Sequence, residues 1–338
     1  MASATDPSPD CLDTPFLVGG LRVPNRIVLA PMSGVTDLPF RRRAERAGTG
    51  LTFAEMVASG ELERDRTESI RRIRSEGSGL RAVQLVGRDP GTIGRATGRL
   101  VDEGVQIVDI NMGCPAKKVT GGACGAALMT EPDRAARIVN AAVASARDAI
   151  VTVKMRLGWD RDNINAAELA RQLVDAGAGM ITVHGRTREQ RYSGTIDAEA
   201  IAAVRAAVPD VPFIANGDVA DRQDAQRLLL TTGADAVMIG RAHYGQPFLA
   251  AELLSNGRSP RQTDLQAYIA DHYEAMLSEY GVVRGSRHAR KHLGWYLDRF
   301  LPDTSIERRQ SIMTAREPRQ ALENLAEAFA ATPYKEAA

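Results

Sequence analysis

The stretch PFIANGDVADRQDAQRLLLTTGADAVMIGRA, residues 212–242, holds two short apolar runs separated by a longer segment of helical character. The runs are Pro212–Ala215 and Ala236–Gly240, and continuous apolar runs of this length are typical of strands buried on both faces of a parallel sheet. Gly233 stands between them, where the C-terminal cap of a helix is expected. The stretch therefore predicts a strand–helix–strand unit.

This unit recurs from residue 26 onward. Segment 132–146 is rich in alanine, and segment 166–175 has apolar residues at helical spacing and is followed by Gly177 at a capping position. Six further apolar runs that are rich in β-branched residues precede segments of helical character: Arg26–Ala30, Leu51–Glu55, Arg81–Val86, Gln106–Ile110, Ala149–Lys154 and Met180–His184.

Eight such units within about 215 residues match the size of a (β/α)8 barrel. The alternative is an open doubly wound sheet, which usually carries a GxGxxG turn after its first strand. The turn after Ala30 reads PMSGVTD instead. The sequence therefore predicts an α/β fold of the (β/α)8 TIM-barrel type.

The alternation stops after Pro247. Residues 262–332 contain no convincing strand and are wholly helical in character, with Gly281 and Pro302 as punctuation, so a smaller all-helical C-terminal domain is predicted there. The predicted organisation is a disordered N-terminus over 1–12, a catalytic barrel domain over 13–255 and a helical domain over 256–338.

Composition limits the classes of function. The 338 residues are 44% hydrophobic and 25% charged, as in a soluble globular protein, and the formal net charge of +1 gives no overall basic excess that would argue for a nucleic-acid partner. The sequence shows neither a secretory signal nor a long apolar run, so we expect a cytoplasmic protein without a membrane anchor. Cys11, Cys114 and Cys124 are odd in number and lack CxxC spacing, which favours neither a disulfide framework nor a metal site.

Polar or reactive side chains follow nearly every predicted strand. Because the active site of a (β/α)8 barrel lies at the C-terminal ends of its strands, we expect these side chains to share one rim. In chain order they are Pro31, Met32, Ser33, Glu55, Gln84, Asn111, Cys114, Lys154, Arg156, His184, Arg186, Asn216, Gly217, Asp218, Gly240 and Arg241.

The last two loops of the rim predict a phosphate site. In such barrels the loops after strands seven and eight usually bind phosphate, because backbone N–H groups converge there. The segments 216–218 and 240–242 combine glycine, which permits close approach of the backbone, with Arg241, which can bind a phosphate with two hydrogen bonds. The alternative is that Gly217 and Gly240 merely turn a strand into a helix.

Lys154 and His184 lie at the ends of the fifth and sixth predicted strands. The chain has only 5 lysines against 38 arginines, so a lysine at a strand end calls for a chemical explanation. Lys154 can form a Schiff base, bind an anion or donate to a ring cofactor, and the alternative is an ion pair with a rim acid such as Glu55. His184 can donate to a carbonyl or a bound ring as a neutral imidazole, or simply bridge backbone groups.

Cys114 is a candidate nucleophile or acid. Gly113 and Pro115 flank it and Lys117 and Lys118 follow, which indicates an exposed loop rather than the buried position that free cysteine often takes. The other cysteine in this region, Cys124, is interpreted as structural.

Seven stretches in the same order resemble the tRNA-dihydrouridine synthases, specifically their bacterial B-type branch. They span residues 30 to about 250 and read APMSGVTDLPFR (30–41), QLVGRDP (84–90), DINMGCPAKKV (109–119), VKMRLGW (153–159), TVHGRTR (182–188), IANGDV (214–219) and MIGRAHYGQP (238–247).

The resemblance implies an FMN-containing barrel that reduces uridine in tRNA with NADPH, and a C-terminal helical domain that binds the tRNA. We further expect a monomer without a metal. Cys114 would be the proton donor to C5 of the uracil, opposite the hydride that flavin N5 gives to C6. Thiols suit this role because they are mostly protonated at neutral pH. The other implied contacts are with the flavin ring (Pro31, Met32, Ser33, Gln84, Lys154, His184), the FMN phosphate (Asn216, Gly217, Asp218, Gly240, Arg241) and the tRNA (Asn111, Arg156, Arg186). His184 and Arg186 would face the flavin and the flipped uracil.

The stretch RGSRHARKHLGWYLDRF, residues 284–300, is the candidate RNA-binding helix. Helical spacing places its apolar residues on one face and Arg284, Arg287, His288, Lys291 and Trp295 on the other, where cations meet phosphates and an aromatic ring can stack on a base. The alternative is an ordinary solvated face.

Three other functions remain open on the sequence. They are a flavin-dependent dehydrogenase of a small molecule such as dihydroorotate, a Schiff-base aldolase that uses Lys154, and a non-catalytic RNA-binding protein.

Overall fold

The computed structural model describes residues 11–76, 79–255, 257, 259–260 and 262–331. All eight predicted apolar runs contain strand, and these strands are buried along nearly their whole length, as expected for a parallel sheet covered on both faces. The strands are β1 (Phe16–Val18), β2 (Leu21–Val23), β3 (Ile27–Leu29), β4 (Leu51–Thr52), β5 (Val57–Ala58), β6 (Ala82–Val86), β7 (Ile107–Met112), β8 (Ile150–Arg156), β9 (Ile181–His184), β10 (Phe213–Asn216) and β11 (Ala236–Ile239).

Strands β3 to β11 form one parallel sheet in the order β4-β3-β11-β10-β9-β8-β7-β6-β5. The two end strands are consecutive parts of a single stretch, 51–58, and Phe53 between them bridges Ala82 of β6. The N–H of Ala54 also donates to the carbonyl of Ala82 at 3.0 Å. The sheet therefore closes into a barrel in which the stretch 51–58 is the second strand. The predicted (β/α)8 barrel is confirmed.

The antiparallel hairpin β1–β2 covers the end of the barrel opposite the predicted site. Its two-residue turn is Gly19-Gly20, with φ of +51° and +90°, the positive values that tight hairpin turns require. Val18 and Val23 are fully buried in a cluster that includes the first residues of several barrel strands, such as Ile107 and Ala236. The hairpin therefore seals the N-terminal ends of the strands.

The helices that alternate with the strands cover the outside of the barrel, and the last helices follow one another without strands between them. The predicted helical segments 132–146 and 166–175 are helices with these bounds, and Gly233 caps the helix Arg222–Thr232 at the predicted position, in the left-handed conformation. The helices are α1 (Leu38–Arg46), α2 (Ser59–Glu63), α3 (Thr67–Ile73), α4 (Pro90–Asp102), α5 (Lys117–Thr120), α6 (Pro132–Ala146), α7 (Ala166–Asp175), α8 (Ala198–Ala207), α9 (Arg222–Thr232), α10 (Leu249–Leu253), α11 (Gln262–Tyr280), α12 (Val282–Phe300), α13 (Ile306–Thr314) and α14 (Pro318–Ala331).

Helices α11 to α14 enclose a second apolar cluster, separate from that of the barrel. The predicted apolar face of α12 is confirmed, since Ala289, Leu293, Tyr296, Leu297 and Phe300 are all buried in it. No helix in the described part of the chain is long and apolar enough to cross a membrane.

The predicted disordered segment 1–12 falls mostly outside the described residues. Its last residue, Leu12, is fully buried in the barrel cluster, and the N–H of Arg26 donates to its carbonyl at 2.9 Å. Leu12 is therefore part of the folded chain, because its apolar side chain packs in the barrel cluster. The predicted boundary between residues 255 and 256 stays a prediction.

A substitution at Gly245 would test how closely α12 packs on the barrel. It has φ of +70°, and a Cβ there would overlap the backbone carbonyl of Trp295. Gly281 has φ of +76° with open space around it, so it is a matched control for backbone strain alone. We expect Gly281→Ala to lower the free energy of unfolding by about 1 kcal/mol and Gly245→Ala by about 3 kcal/mol, measured by urea denaturation. Equal losses would contradict this packing.

Candidate active site

A cavity of about 1240 Å³ opens at the carboxyl ends of the barrel strands. Loops after most strands contribute to it, as expected for a (β/α)8 barrel. The predicted site residues that line it are Pro31, Met32, Ser33, Gln84, Asn111, Cys114, Lys154, Arg156, His184, Asn216, Gly217, Asp218, Gly240 and Arg241.

The charges on the cavity wall are mostly positive. Five cationic side chains line it, whereas the one carboxylate among the described lining residues is that of Asp218. An excess of cations in a concave site attracts anions, and arginine is suited to phosphate groups. The cavity therefore favours a phosphorylated ligand. The five cations belong to Lys117, Lys154, Arg156, Arg191 and Arg241.

A chain of buried hydrogen bonds crosses the barrel interior and ends at Cys114. Gln84 Nε2 donates to Asp109 Oδ2 at 2.7 Å, and Asn111 Nδ2 donates to Gln84 Oε1 at 2.7 Å. Asn111 Oδ1 accepts from the backbone N–H of Cys114 at 2.9 Å. Thr152 Oγ1 completes the chain by donating to Asp109 Oδ1 at 2.6 Å. Each amide orientation follows from its partners, so the chain fixes the backbone position of Cys114.

Strand register places these side chains together. Asp109 of β7 lies opposite Gln84 of β6 and opposite Thr152 of β8, while Asn111 lies opposite Lys154. Residues two apart on a strand share a face, so Asp109 and Asn111 both point into the barrel. Asp109 was missed among the predicted site residues, although an acid inside the apolar run QIVDI was a usable signal.

The loop that carries Cys114 is braced from two sides. The N–H of Ala126 donates to the carbonyl of Cys114 at 3.1 Å, and Arg156 Nε donates to the carbonyl of Gly113 at 2.7 Å. Gly125, with φ of +60°, allows this approach, because a Cβ there would lie 2.9 Å from the Cys114 carbonyl. Cys124, in contrast, does not line the cavity and its Sγ donates to the carbonyl of Gly122 at 3.3 Å.

Lys154 is half-buried in the wall, without the acid predicted as its alternative partner. Glu55 instead pairs with Arg72, at 3.1 Å between Oε2 and Nε. Burial and the neighbouring Arg156 lower the pKa of Lys154 to about 8, against the attraction of Asp109. Burial raises the pKa of Asp109 to about 6, although its hydrogen bonds to Gln84 and Thr152 and the charge of Lys154 oppose this.

His184 is held as a neutral imidazole. Its Nε2 lies 3.3 Å from Nη1 of Arg186, and because a guanidinium can only donate, Nε2 is the acceptor and Nδ1 carries the proton. Burial, together with the positive charges of Lys154, Arg156 and Arg186, lowers the pKa of His184 far below its usual value.

Arg186 lies behind the wall rather than in it. It is 2% exposed, and its Nη2 donates to both carboxylate oxygens of Asp218 at 2.8 and 2.7 Å. Asp218 therefore presents a compensated charge to the cavity, with the second cation Arg241 3.8 Å away. The left-handed backbone of Asp218, with φ of +50°, turns its carboxylate into this position.

Of the glycines in the two phosphate-type loops, Gly217 has a steric reason and Gly240 has none. A Cβ on Gly217 would overlap Ile196, whereas a Cβ on Gly240 would point toward Met32 and Ala30 on the cavity wall, 3.6 and 3.7 Å from their nearest atoms. Asn216 Nδ2 donates to the carbonyl of Met238 at 2.7 Å and so ties the two strands together below these loops.

Part of the polar face of α12 is turned toward the barrel. Arg284 pairs with Glu68 at 2.9 Å, Trp295 stacks on Tyr244 with centroids 4.0 Å apart, and His288 stacks on Tyr280 at 4.5 Å. Lys291 is half-buried, and burial lowers its pKa although Asp37 and Glu55 attract its proton. Of the residues predicted for this face, Arg284 and Arg287 stay exposed. Helical spacing predicted which residues share this face of α12, but it could not predict which of them contact the barrel.

Two aromatic residues on the cavity wall were also missed. Tyr192 follows β9 in the loop before α8, and Tyr244 follows β11. Neither belongs to a strand end, so reading the residues after each strand did not reach them.

Known proteins resemble this chain in sequence. The family model described as dihydrouridine synthase matches residues 28–332. A probable tRNA-dihydrouridine synthase of Rhizobium leguminosarum is 50% identical over 300 residues, covering 89% of this chain and 94% of the relative. The tRNA-dihydrouridine synthase B of Pseudomonas aeruginosa is 42% identical over 287 residues, covering 83% and 86%, and that of Pectobacterium carotovorum is 39% identical over 321 residues, covering 91% and 99%.

Among solved structures, a variant of NCR from Zymomonas mobilis superposes with a TM-score of 0.49 at 17% identity, covering 70% of this chain and 88% of its own.

Asp109 gives the folded protein a pH dependence with a definite sign. Its pKa of about 6 exceeds the value of 3.8 for a free carboxyl, so the folded chain binds this proton more tightly than the unfolded chain does. The associated stability is present below about pH 4 and is lost as the pH rises through 6. We expect the free energy of unfolding of the wild type, relative to that of Asp109→Asn, to fall by about 3 kcal/mol across this window. Urea titrations at a series of pH values measure it, and parallel curves would contradict it.

Proposed function

The chain belongs to the dihydrouridine synthase family of oxidoreductases, which act on CH–CH groups, and we propose that it reduces specific uridines of tRNA to 5,6-dihydrouridine with bound FMN and NADPH. The observation that carries the proposal is a cysteine held by Asn111 on the wall of a cationic cavity that also contains Lys154. Reduction of the uracil ring needs a proton donor in one direction and a group that stabilises negative charge in another. The cysteine can supply the first and Lys154 the second.

The cavity fits FMN in size and donor set. Its volume of about 1240 Å³ exceeds the roughly 300–1,000 Å³ of ordinary small-molecule pockets, so it leaves room for a base beside the cofactor. When bound, FMN would supply a hydride to C6 of the uracil. The residues that would hold it are Pro31, Met32, Ser33, Gln84, Lys154 and His184 at the ring, and Asn216, Gly217, Asp218, Gly240 and Arg241 at the phosphate.

The phosphate end is compatible with Asp218 despite its charge. The two hydrogen bonds from Arg186 compensate this carboxylate, so Arg241 remains available to the phosphate. Arg186 would then act by holding Asp218 rather than by contacting the ligand. This role differs from the direct contact with the flipped uracil that the resemblance implies.

Lys154 would stabilise negative charge on the reduced cofactor. Its pKa of about 8 keeps it largely protonated at neutral pH, and an anion beside it would favour the protonated form further. Neutral His184, with its proton on Nδ1, can donate to a ring acceptor.

Cys114 would give its proton to C5 of the uracil. Since Asn111 and Arg156 hold the peptide that joins Gly113 to Cys114, and Ala126 holds the carbonyl of Cys114, the backbone that carries the thiol is positioned before the substrate arrives. A uridine in folded tRNA must first be unstacked, at a cost of a few kcal/mol, to reach the cavity. Asn111, Arg156, Arg284, Arg287 and Lys291 remain candidates for contacts with the tRNA, and a monomeric, cytoplasmic enzyme remains the expectation.

The alternatives are less favoured. Membership of the family argues against an aldolase that uses Lys154, against a small-molecule dehydrogenase and against a non-catalytic scaffold.

The proposed function predicts a product that can be measured directly. Purified protein incubated with NADPH and tRNA from cells that lack dihydrouridine synthases should convert defined uridines to dihydrouridine, detected by mass spectrometry of nucleosides. The protein should be yellow, with flavin absorbance near 450 nm that bleaches on addition of NADPH. Colourless protein that forms no dihydrouridine after FMN is added would contradict the proposal.

Cys114 and Cys124 provide a matched pair of variants. Cys114→Ala should retain flavin but form product about 10²–10⁴-fold more slowly, the usual contribution of a positioned acid. Cys124→Ala should keep the wild-type rate, because Cys124 is half-buried outside the cavity. Single-turnover formation of dihydrouridine from the prereduced enzyme measures the step, and equal rates for the two variants would refute the assignment of the proton donor.

A further inference from the structure

Two of the five cations that line the cavity have no polar partner. Lys154 is half-buried, Arg156 is buried, and Arg241 has a carboxylate oxygen 3.8 Å away. Lys117 and Arg191, in contrast, are exposed, and neither side chain has a hydrogen bond or an ion pair to another described residue. Free cations at the mouth of a cavity are available to an anion that arrives from solvent.

These two cations belong to neighbouring parts of the rim. Lys117 begins α5, which follows β7, and Arg191 lies in the loop after β9. Strand β8 runs between β7 and β9, and its Arg156 joins the two loops. Arg156 Nε donates to the carbonyl of Gly113 at 2.7 Å, and its Nη1 donates to that of Arg191 at 2.8 Å. One ligand can therefore meet both cations.

The C-terminal helices lie on the other side of the cavity mouth. Helix α12 meets the barrel at Gly34, Glu68 and Tyr244, which follow the first, second and eighth barrel strands. Lys117 and Arg191 follow the fourth and sixth strands. In a closed barrel of eight strands, the fourth lies across from the eighth and the sixth across from the second. An RNA bound along the helices would reach the mouth from the opposite side, so the position of the two cations favours a separate, smaller anion.

The reductant of the proposed reaction is such an anion. NADPH carries a pyrophosphate and a 2′-phosphate, to which lysine and arginine side chains bind by charge and by N–H donors. Because the hairpin β1–β2 seals the other end of the barrel, the nicotinamide must reach the flavin through this mouth, and the phosphates then stay near the rim.

We propose that Lys117 and Arg191 form the subsite that binds the phosphates of the reducing dinucleotide, across the cavity mouth from the C-terminal helices. This inference rests on the proposed function and deepens it, because it names the groups that bind the reductant. The two side chains hold phosphates and touch no reacting atom, so they contribute to the affinity for the reductant and not to the rate of hydride transfer once it is bound.

Bleaching of the flavin absorbance near 450 nm by NADPH, without tRNA, measures this half of the reaction alone. Lys117→Ala and Arg191→Ala should each raise the NADPH concentration at half-maximal bleaching rate roughly 3- to 10-fold, the usual contribution of one hydrogen bond, and leave the limiting rate unchanged. Lys117→Arg keeps the charge and should keep most of the affinity. Lys118→Ala is the matched control, because this neighbouring lysine is equally exposed but does not line the cavity.

Calorimetry with NADP⁺ gives a measurement that does not depend on turnover. NADP⁺ cannot reduce the flavin, so its dissociation constant reports binding alone and should rise by the same factor in Lys117→Ala and Arg191→Ala. Bleaching by NADH then identifies the phosphate. An equal loss with NADH assigns the cations to the pyrophosphate, a loss confined to NADPH assigns them to the 2′-phosphate, and both results support the inference.

Three results would overturn the inference. The first is an unchanged affinity for NADPH and NADP⁺ in both alanine variants, or no binding of NADP⁺ by the wild type. The second is an equal loss in Lys118→Ala, which would indicate a general effect of net charge. The third is a raised KM for tRNA with an unchanged affinity for NADPH, which would assign the cations to RNA phosphates.

Failure of the proposed function would look different from failure of this inference. The wild type would then form no dihydrouridine from any tRNA. Calorimetry with NADP⁺ contains no tRNA, so it would still compare the variants with the wild type.

Discussion

The buried carboxylate of Asp109 is the interaction on which the site depends. It accepts from Gln84 on one side and Thr152 on the other, so it joins three neighbouring strands at one level of the barrel. A shift of one residue in either strand pairing would turn these side chains to the opposite face. Through Gln84 and Asn111, the same register determines where the backbone of Cys114 lies.

Arginine and lysine have separate tasks at the mouth of the barrel. Arg156 and Arg186 are buried and use their several N–H groups to brace loop carbonyls, which a planar guanidinium does well because it donates in several fixed directions. Lys154 instead supplies a compact charge whose pKa responds to burial. These separate roles give a physical reason for lysines on the cavity wall, although the chain has only 5 lysines against 38 arginines.

The sequence predicted the barrel well because each buried strand is a continuous apolar run, and it predicted the rim because strand ends share one edge. The second strand was harder to predict, because the stretch 51–58 forms two short strands. Between them, only Phe53 pairs with Ala82 of the neighbouring strand. Contacts between distant segments could not be predicted from spacing. Helical period separated the faces of α12, yet it could not show that Trp295 would meet Tyr244. Likewise, Arg186 follows a strand end but turns toward Asp218, because that carboxylate reaches it from the next loop.

The stacked rings of Tyr244 and Trp295 join the cavity to the C-terminal helices. Tyr244 belongs to the wall, and Trp295 belongs to α12, whose opposite face is buried in the helical cluster. A ligand that favours this stacked position of Tyr244 would favour the docked position of α12 by the same free energy, and loss of the stack would weaken binding of that ligand by an equal amount. The ring pair is therefore the contact through which binding in the cavity and docking of the C-terminal helices would affect each other.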